Sequence, residues 1–154
     1  MAEDQQLKKI ILLSSIALFL ISLTQKCYCT TTQCSDSIMV LLLGWAAVQG
    51  GAVLPWIANP LLLAAWLTLR KNLKVSMFLS VFAGLLSLSF LLFGSIVDNE
   101  GGQSHPIVSY KPGYWMWTGS SVCMLLGTFV LMLRHNTRHP RQQFIVKEDK
   151  RFLH

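Results

Sequence analysis

The stretch Ser37–Leu69, SIMVLLLGWAAVQGGAVLPWIANPLLLAAWLTL, decides how this chain is read. Its 33 positions hold no charged residue, a composition that belongs in hydrocarbon. As one α-helix it would run about 50 Å against a bilayer core of roughly 30 Å, and two full crossings do not fit in it either. It also carries its own breakers, Gly50-Gly51, Pro55 and Asn59-Pro60. Pro60 has no amide hydrogen for the carbonyl of Trp56 and its ring crowds that carbonyl, so a helix passing here is kinked or broken. The expectation is one crossing made from a helix interrupted near Gly50–Pro60, with the surplus in or above the outer interface. In one placement Ser37–Gln49 lies along that interface, anchored by Trp45, and Ala52–Leu69 crosses. In the other, Ser37–Ala58 crosses and Pro60–Leu69 is a buried return segment. The first is preferred, because it brings Arg70 straight to the opposite surface with Trp66 in the aromatic belt above it.

Working outward, three more apolar stretches flank this one: Ile10–Leu23, Val75–Val97 and Tyr114–Leu133. The chain of 154 residues is 53% hydrophobic and 13% charged, about half the charge fraction of a soluble domain. The four stretches contain no Asp, Glu, Lys, Arg or His. Proton-coupled pumps and many transporters place an ionisable group within the membrane, and this chain places none there. The expected fold is an all-α integral membrane protein, a four-transmembrane-helix bundle in a single domain. Its crossings fall at about 9–25, within 37–69, at 75–97 and at 114–133, its outer loops at 26–36 and 98–113, and its basic tail at 134–154.

The formal charge of +6 would suggest nucleic acid in a soluble chain, but its distribution has a better explanation. With four crossings, Lys8, Lys9, Arg70, Lys71, Lys74, Arg134, Arg138, Arg141, Lys147, Lys150 and Arg151 collect on one face and only Lys26 and Lys111 on the other. Cytoplasmic loops are enriched in Lys and Arg, so both termini are expected in the cytoplasm. Lys8-Lys9 followed by IILLSSIALFLISL also has the form of a secretory signal peptide, but the weak Ser22-x-Thr24 junction argues for retention as the first helix. The implied partners are the lipid bilayer and other membrane proteins or a second copy, with no nucleic acid and no cofactor.

Three of the four cysteines, Cys27, Cys29 and Cys34, share the first outer loop, where an oxidising compartment favours a disulfide. Cys27–Cys34 and Cys29–Cys34 would each close a small loop, while Cys27–Cys29 is disfavoured by its single intervening residue. The third thiol is left over and available to a neighbouring chain. Zinc would need a fourth ligand, and the chain has no Cys-x-x-Cys for redox work.

Gln49 and Asn59, with Pro60, are the polar and helix-breaking groups at depth, where a broken transporter helix would hold a ligand. The blander reading is a kink with Asn59 bonded to a neighbour. Ser76, Ser80, Ala83 and Ser87 form a small-residue stripe, and Gly119, Cys123 and Gly127 repeat every four residues, so both read as helix-packing seams. Cys123 has no base at that depth and reads as a small core residue. Asp98, Glu100 and His105 in the second outer loop invite a divalent-ion reading, but their spacing fits no calcium loop and they read as a solvated cap. Tyr114, Trp115 and Trp117 mark the outer membrane boundary.

TQKCYC, WIANPLLLAAW, DNEGG and GYWMW together resemble an uncharacterised type of small four-helix bacterial inner-membrane protein. The resemblance spans Thr24 to Leu133. It implies the topology and the bacterial inner membrane and carries over no catalytic residue. Two function classes follow: a non-enzymatic accessory or interaction protein, with an immunity-type variant that meets a toxin in the bilayer, or a small transporter or channel subunit working as an oligomer. They part on whether Gln49, Asn59 and the serine stripe face a wet path or are consumed by hydrogen bonds between helices.

Overall fold

The structure is a computed structural model that describes residues 2–46, 53–97 and 103–152. Helix α1 (Ala2–Leu23) opens with Glu3 and Asp4, whose charges complement its positive N-terminal end, and carries the first apolar stretch. Thr24 and Gln25 turn the chain into strand β1 (Lys26–Thr30), which pairs with strand β2 (Cys34–Asp36). Thr30 organises the hairpin: its backbone N–H donates to the Gln33 carbonyl at 2.8 Å and its hydroxyl accepts from the Gln33 N–H at 3.2 Å. Helix α2 (Ser37–Leu43) and a 3₁₀ turn (Gly44–Ala46) follow, then α3 (Val53–Trp56), α4 (Ala58–Thr68) and α5 (Leu73–Ser89), which a 3₁₀ turn (Phe90–Leu92) extends. Strands β3 (Ser95–Val97) and β4 (Ser104–Tyr110) lead into α6 (Pro112–Phe152), with Pro112 at its first position, where the missing amide hydrogen is harmless.

The purely helical expectation fails at the two outer loops. They pair into one antiparallel sheet of order β2-β1-β4-β3. Strand β4 joins β1 through Ile107, Ser109 and Tyr110 and joins β3 through Ser104, His105 and Pro106, so it hands over at Pro106, which cannot donate to a ladder. β2, β3 and β4 carry Ser or Pro, which reads locally as turn, and β1 is only 5 residues long. The third crossing also ends sooner than Val97: the helical path stops at Leu92, and Ile96 and Val97, β-branched residues after Gly94, form β3. At the other end α6 continues as helix well past Leu133.

Three helices, Glu3–Leu23, Leu73–Leu92 and Pro112–Thr137, are long and apolar enough to cross a membrane. Val53–Thr68 is a shorter apolar helix, about 24 Å by its helical rise. Stretch 37–69 is thus divided, with α2 and its 3₁₀ turn on one side of residues 47–52 and α3–α4 on the other. Pro55 sits in the first turn of α3, where no amide hydrogen is required of it, and Pro60 in the first turn of α4, where its missing amide hydrogen leaves the Trp56 carbonyl of α3 to another donor. Only Ile57 separates α3 from α4, and its own φ of −58° is helical, so the interruption there is a kink.

Helix α1 packs antiparallel to α6, α6 on α5, and α5 on α4. Much of what lies inside is small or hydroxylated: Ser15, Ser76, Ser80, Ala83, Ser87, Ser120, Ser121 and Thr128 are fully buried, packed with Leu62, Leu69 and Met124. What lies outside is large and apolar, with Leu92 86%, Leu67 77% and Phe78 62% exposed. In water such a surface would drive aggregation, whereas hydrocarbon solvates it and leaves close backbone approach and hydrogen bonds to hold the helices. A second, aromatic core of Tyr28, Phe90, Ile96 and Tyr114 lies beneath the sheet.

The glycine seam divides. A Cβ at Gly127 would strike the Ile11 side chain of α1, whereas one at Gly119 would meet nothing within 4 Å. Gly127→Leu is therefore expected to lower stability by about 1–3 kcal/mol through overpacking, and Gly119→Ala to leave it unchanged or slightly higher, as read by thermal unfolding in detergent.

Candidate functional site

The polar groups at depth gather around the kink. Pro60 leaves the Trp56 carbonyl without its helical donor, and the Asn59 side-chain amide takes that place, donating to Trp56 O at 3.0 Å. The other end of the same amide, Oδ1, accepts from the indole N–H of Trp117 on α6 at 2.8 Å. Trp56 in turn donates its indole N–H to Leu41 O at 2.8 Å, and a Cβ at Gly44 would meet the Trp56 ring at 2.6 Å, so α2 is clamped to α3. Asn59 thus repairs the break within its own helix and ties it to α6.

A second node lies nearer the opposite end. The Trp66 indole N–H donates to Ser15 Oγ on α1 at 2.9 Å, and Ser15 Oγ donates to Ser120 O on α6 at 2.9 Å. Phe19 meets the Trp66 ring edge-on at 5.5 Å. Trp66 therefore points its polar edge into the bundle, where the sequence reading puts it in an interfacial belt. Ser15, Ser120 and Trp56 were not singled out from sequence. The paired serines Ser14-Ser15 and Ser120-Ser121 inside apolar runs were the available signal.

The serine stripe turns inward. Ser76 donates to Ala65 O of α4 at 2.9 Å, Ser80 to Ser76 O at 2.7 Å and Ser87 to Gly84 O at 2.9 Å. Tyr114 of α6 donates its hydroxyl to Ser87 O at 3.1 Å. Ala83 is fully buried in the same seam and Cys123 is half-buried on α6. Gln49, Asp98 and Glu100 lie outside the described residues, so their expected roles have no geometry here. His105 sits in β4 opposite Ile96, and among the described residues no group of His, Cys, Asp and Glu could hold a metal ion.

At the sheet end Cys29 and Cys34, register partners across β1 and β2, form a disulfide. Of the two pairings left open by the sequence, this is the one adopted, because it links directly opposed residues. Cys27 remains a thiol, buried beside Ser37, and burial pushes its pKa up to about 12. The thiolate nucleophile of redox and acyl-transfer chemistry is therefore suppressed. Burial also raises the Tyr110 phenol, whose hydroxyl leans on Phe93 O at 3.3 Å. Lys26 pairs with Asp36 at 2.8 Å, an exposed contact worth little. Gly113 starts α6 against this corner: a Cβ there would strike the Ser37 hydroxyl and the Lys26 carbonyl.

Compared with protein-family models, with curated proteins and with solved structures, the chain matches none of them. Function must be argued from the geometry alone.

Asn59→Ala leaves the Trp117 indole and the Trp56 carbonyl unpaired and is expected to cost about 0.6–2 kcal/mol, with a Trp117→Phe double-mutant cycle giving a coupling of similar size. Cys27 should resist maleimide at pH 8 in the native state and react on denaturation, with two thiols titrated before reduction and four after. Because the folded state holds the Cys27 proton more tightly than the unfolded state, its contribution to stability is complete below about pH 9 and lost as pH rises towards 12. Cys27→Ala should flatten that alkaline slope in unfolding followed against pH.

Proposed function

We propose that this chain is a four-pass protein of a bacterial inner membrane, with both termini in the cytoplasm, acting as a non-enzymatic accessory or interaction protein whose sheet-capped end meets other components outside. The observation that carries this reading is the pairing of the polar groups at depth. Asn59, Ser15, Ser76, Ser80 and Ser87 spend their hydrogen bonds on neighbouring helices or their own backbone, so they hold the bundle together and do not line a wet path. The fourth crossing in this reading is α3–α4, short but followed at once by Arg70, with α2 along the outer interface exposing Ile38, Met39, Leu42, Leu43 and Trp45. The cation asymmetry supports the orientation, and the resemblance to small four-helix inner-membrane proteins supports the setting. An immunity-type role, meeting a toxin within the bilayer, is the variant that uses the helix faces in place of the outer sheet.

The transport reading would start from Ser121, whose hydroxyl is buried with no hydrogen-bond partner among the described residues. Two measurements separate the readings. Tags on the two termini should be labelled from the same side of the membrane, and liposomes holding the protein should lose a trapped ion no faster than empty ones. A flux that disappears in Asn59→Leu would transfer the case to transport, and tags on opposite sides would end the four-pass reading.

A further inference from the structure

The end of the bundle remote from the sheet gathers cations that the fold itself does not use. Interhelical contacts fix the levels: Ile11 lies against Gly127, Met77 accepts from the Thr128 hydroxyl at 3.4 Å, and Ser76 bonds Ala65. Within two helical turns beyond those contacts lie Lys8 and Lys9 on α1, Arg134 on α6, Lys74 on α5, and Arg70-Lys71 just after α4. The α4–α5 turn is rigid, with the Thr68 carbonyl accepting from Lys71 N at 3.0 Å and Asn72 N at 2.8 Å, and the Asn72 side chain capping α5 through Val75 N at 3.3 Å. None of the six cations is in an ion pair among the described residues; Glu3 and Asp4 bring carboxylates to that end, and Glu148 and Asp149 lie further along α6. At the sheet end, by contrast, Lys26 already has Asp36.

What surrounds these cations names the ligand. Arg70 lies three residues from Leu67, Lys74 four from Phe78 and Lys9 four from Leu13, and all three apolar side chains face outward, 77%, 62% and 65% exposed. On α1 and α5 a positive head is thus stacked one turn from a greasy body on the same outer surface, and Arg70 follows directly on the end of α4. From Lys74 to Leu92 the helical path runs about 27 Å, so the cations fall at headgroup level when the apolar surface is in hydrocarbon. A soluble anion would use the charges and ignore the exposed Leu and Phe, whereas a phospholipid uses both.

We propose that this end is a binding collar for anionic phospholipid, the phosphate on Arg70, Lys71, Lys74 and Lys9 and the acyl chains against Leu67, Phe78 and Leu13. The proposal rests on the membrane-spanning reading, whose failure would appear separately, as a chain that does not enter nanodiscs of phosphatidylcholine. The test is native mass spectrometry of the full chain released from micelles doped with equal phosphatidylglycerol and phosphatidylcholine. Phosphatidylglycerol should be retained preferentially, its affinity falling about fivefold per cation removed in Arg70→Gln and Lys74→Gln, the equivalent of about 1 kcal/mol each. Arg70→Lys and Lys74→Arg should keep it, as should Lys111→Gln at the sheet end. Equal retention of both lipids, an equal loss in Lys111→Gln, or displacement by millimolar inorganic phosphate would overturn the proposal, the last by making the ligand a soluble anion.

Discussion

The Asn59 side chain holds the rest in place. A proline at position 60 strips one hydrogen bond from the helix, and in hydrocarbon a bare carbonyl is expensive because no water can replace the lost donor. The neighbouring amide supplies the donor, and in doing so directs its oxygen at Trp117. The break thereby becomes the joint between α4 and α6. Around it the same economy repeats: Trp56 finds Leu41, Trp66 finds Ser15, and Ser15 finds Ser120. Each indole brings apolar bulk and a single N–H, and each N–H ends on an acceptor from another segment.

This arrangement suits a bundle whose driving force is not burial of large side chains. Many leucines and phenylalanines face outward, and serines, alanines and Gly127 share the contacts between helices with a smaller set of large side chains, Leu62, Leu69 and Met124 among them. Close approach lets hydroxyls reach carbonyls of the next helix, as Ser76 does with Ala65. The result is a membrane interior with many polar atoms and few unspent ones.

Much of this was legible in the residues. The length mismatch of 37–69 and its prolines located the break, and Asn59 stood out as the polar group beside it. The serine stripe was visible as a period on one helix face. What could not be read was anything that depends on distant pairing. Lys26–Thr30 and Ile107–Tyr110 pair with each other from distant parts of the chain, and each is too short to announce a strand alone. The choice of Cys34's partner depended on the same hairpin register, Cys29 opposite Cys34. Trp66 was misplaced for a related reason: an indole near a helix end suits the headgroups equally well unless a serine on another helix is known to wait for it.

The sheet has a consequence for how the chain is made. Strand β1 leaves the ribosome long before β4, with α2 to α5 between them. During that interval β1 has β2 on one side and an open edge on the other. Arrival of β4 closes that edge and, because β4 runs directly into α6, brings the last helix down beside the first, where Gly127 receives Ile11. The sheet therefore acts as a latch: the pairing of β1 with β4 and the docking of α6 against α1 are made by one continuous piece of chain.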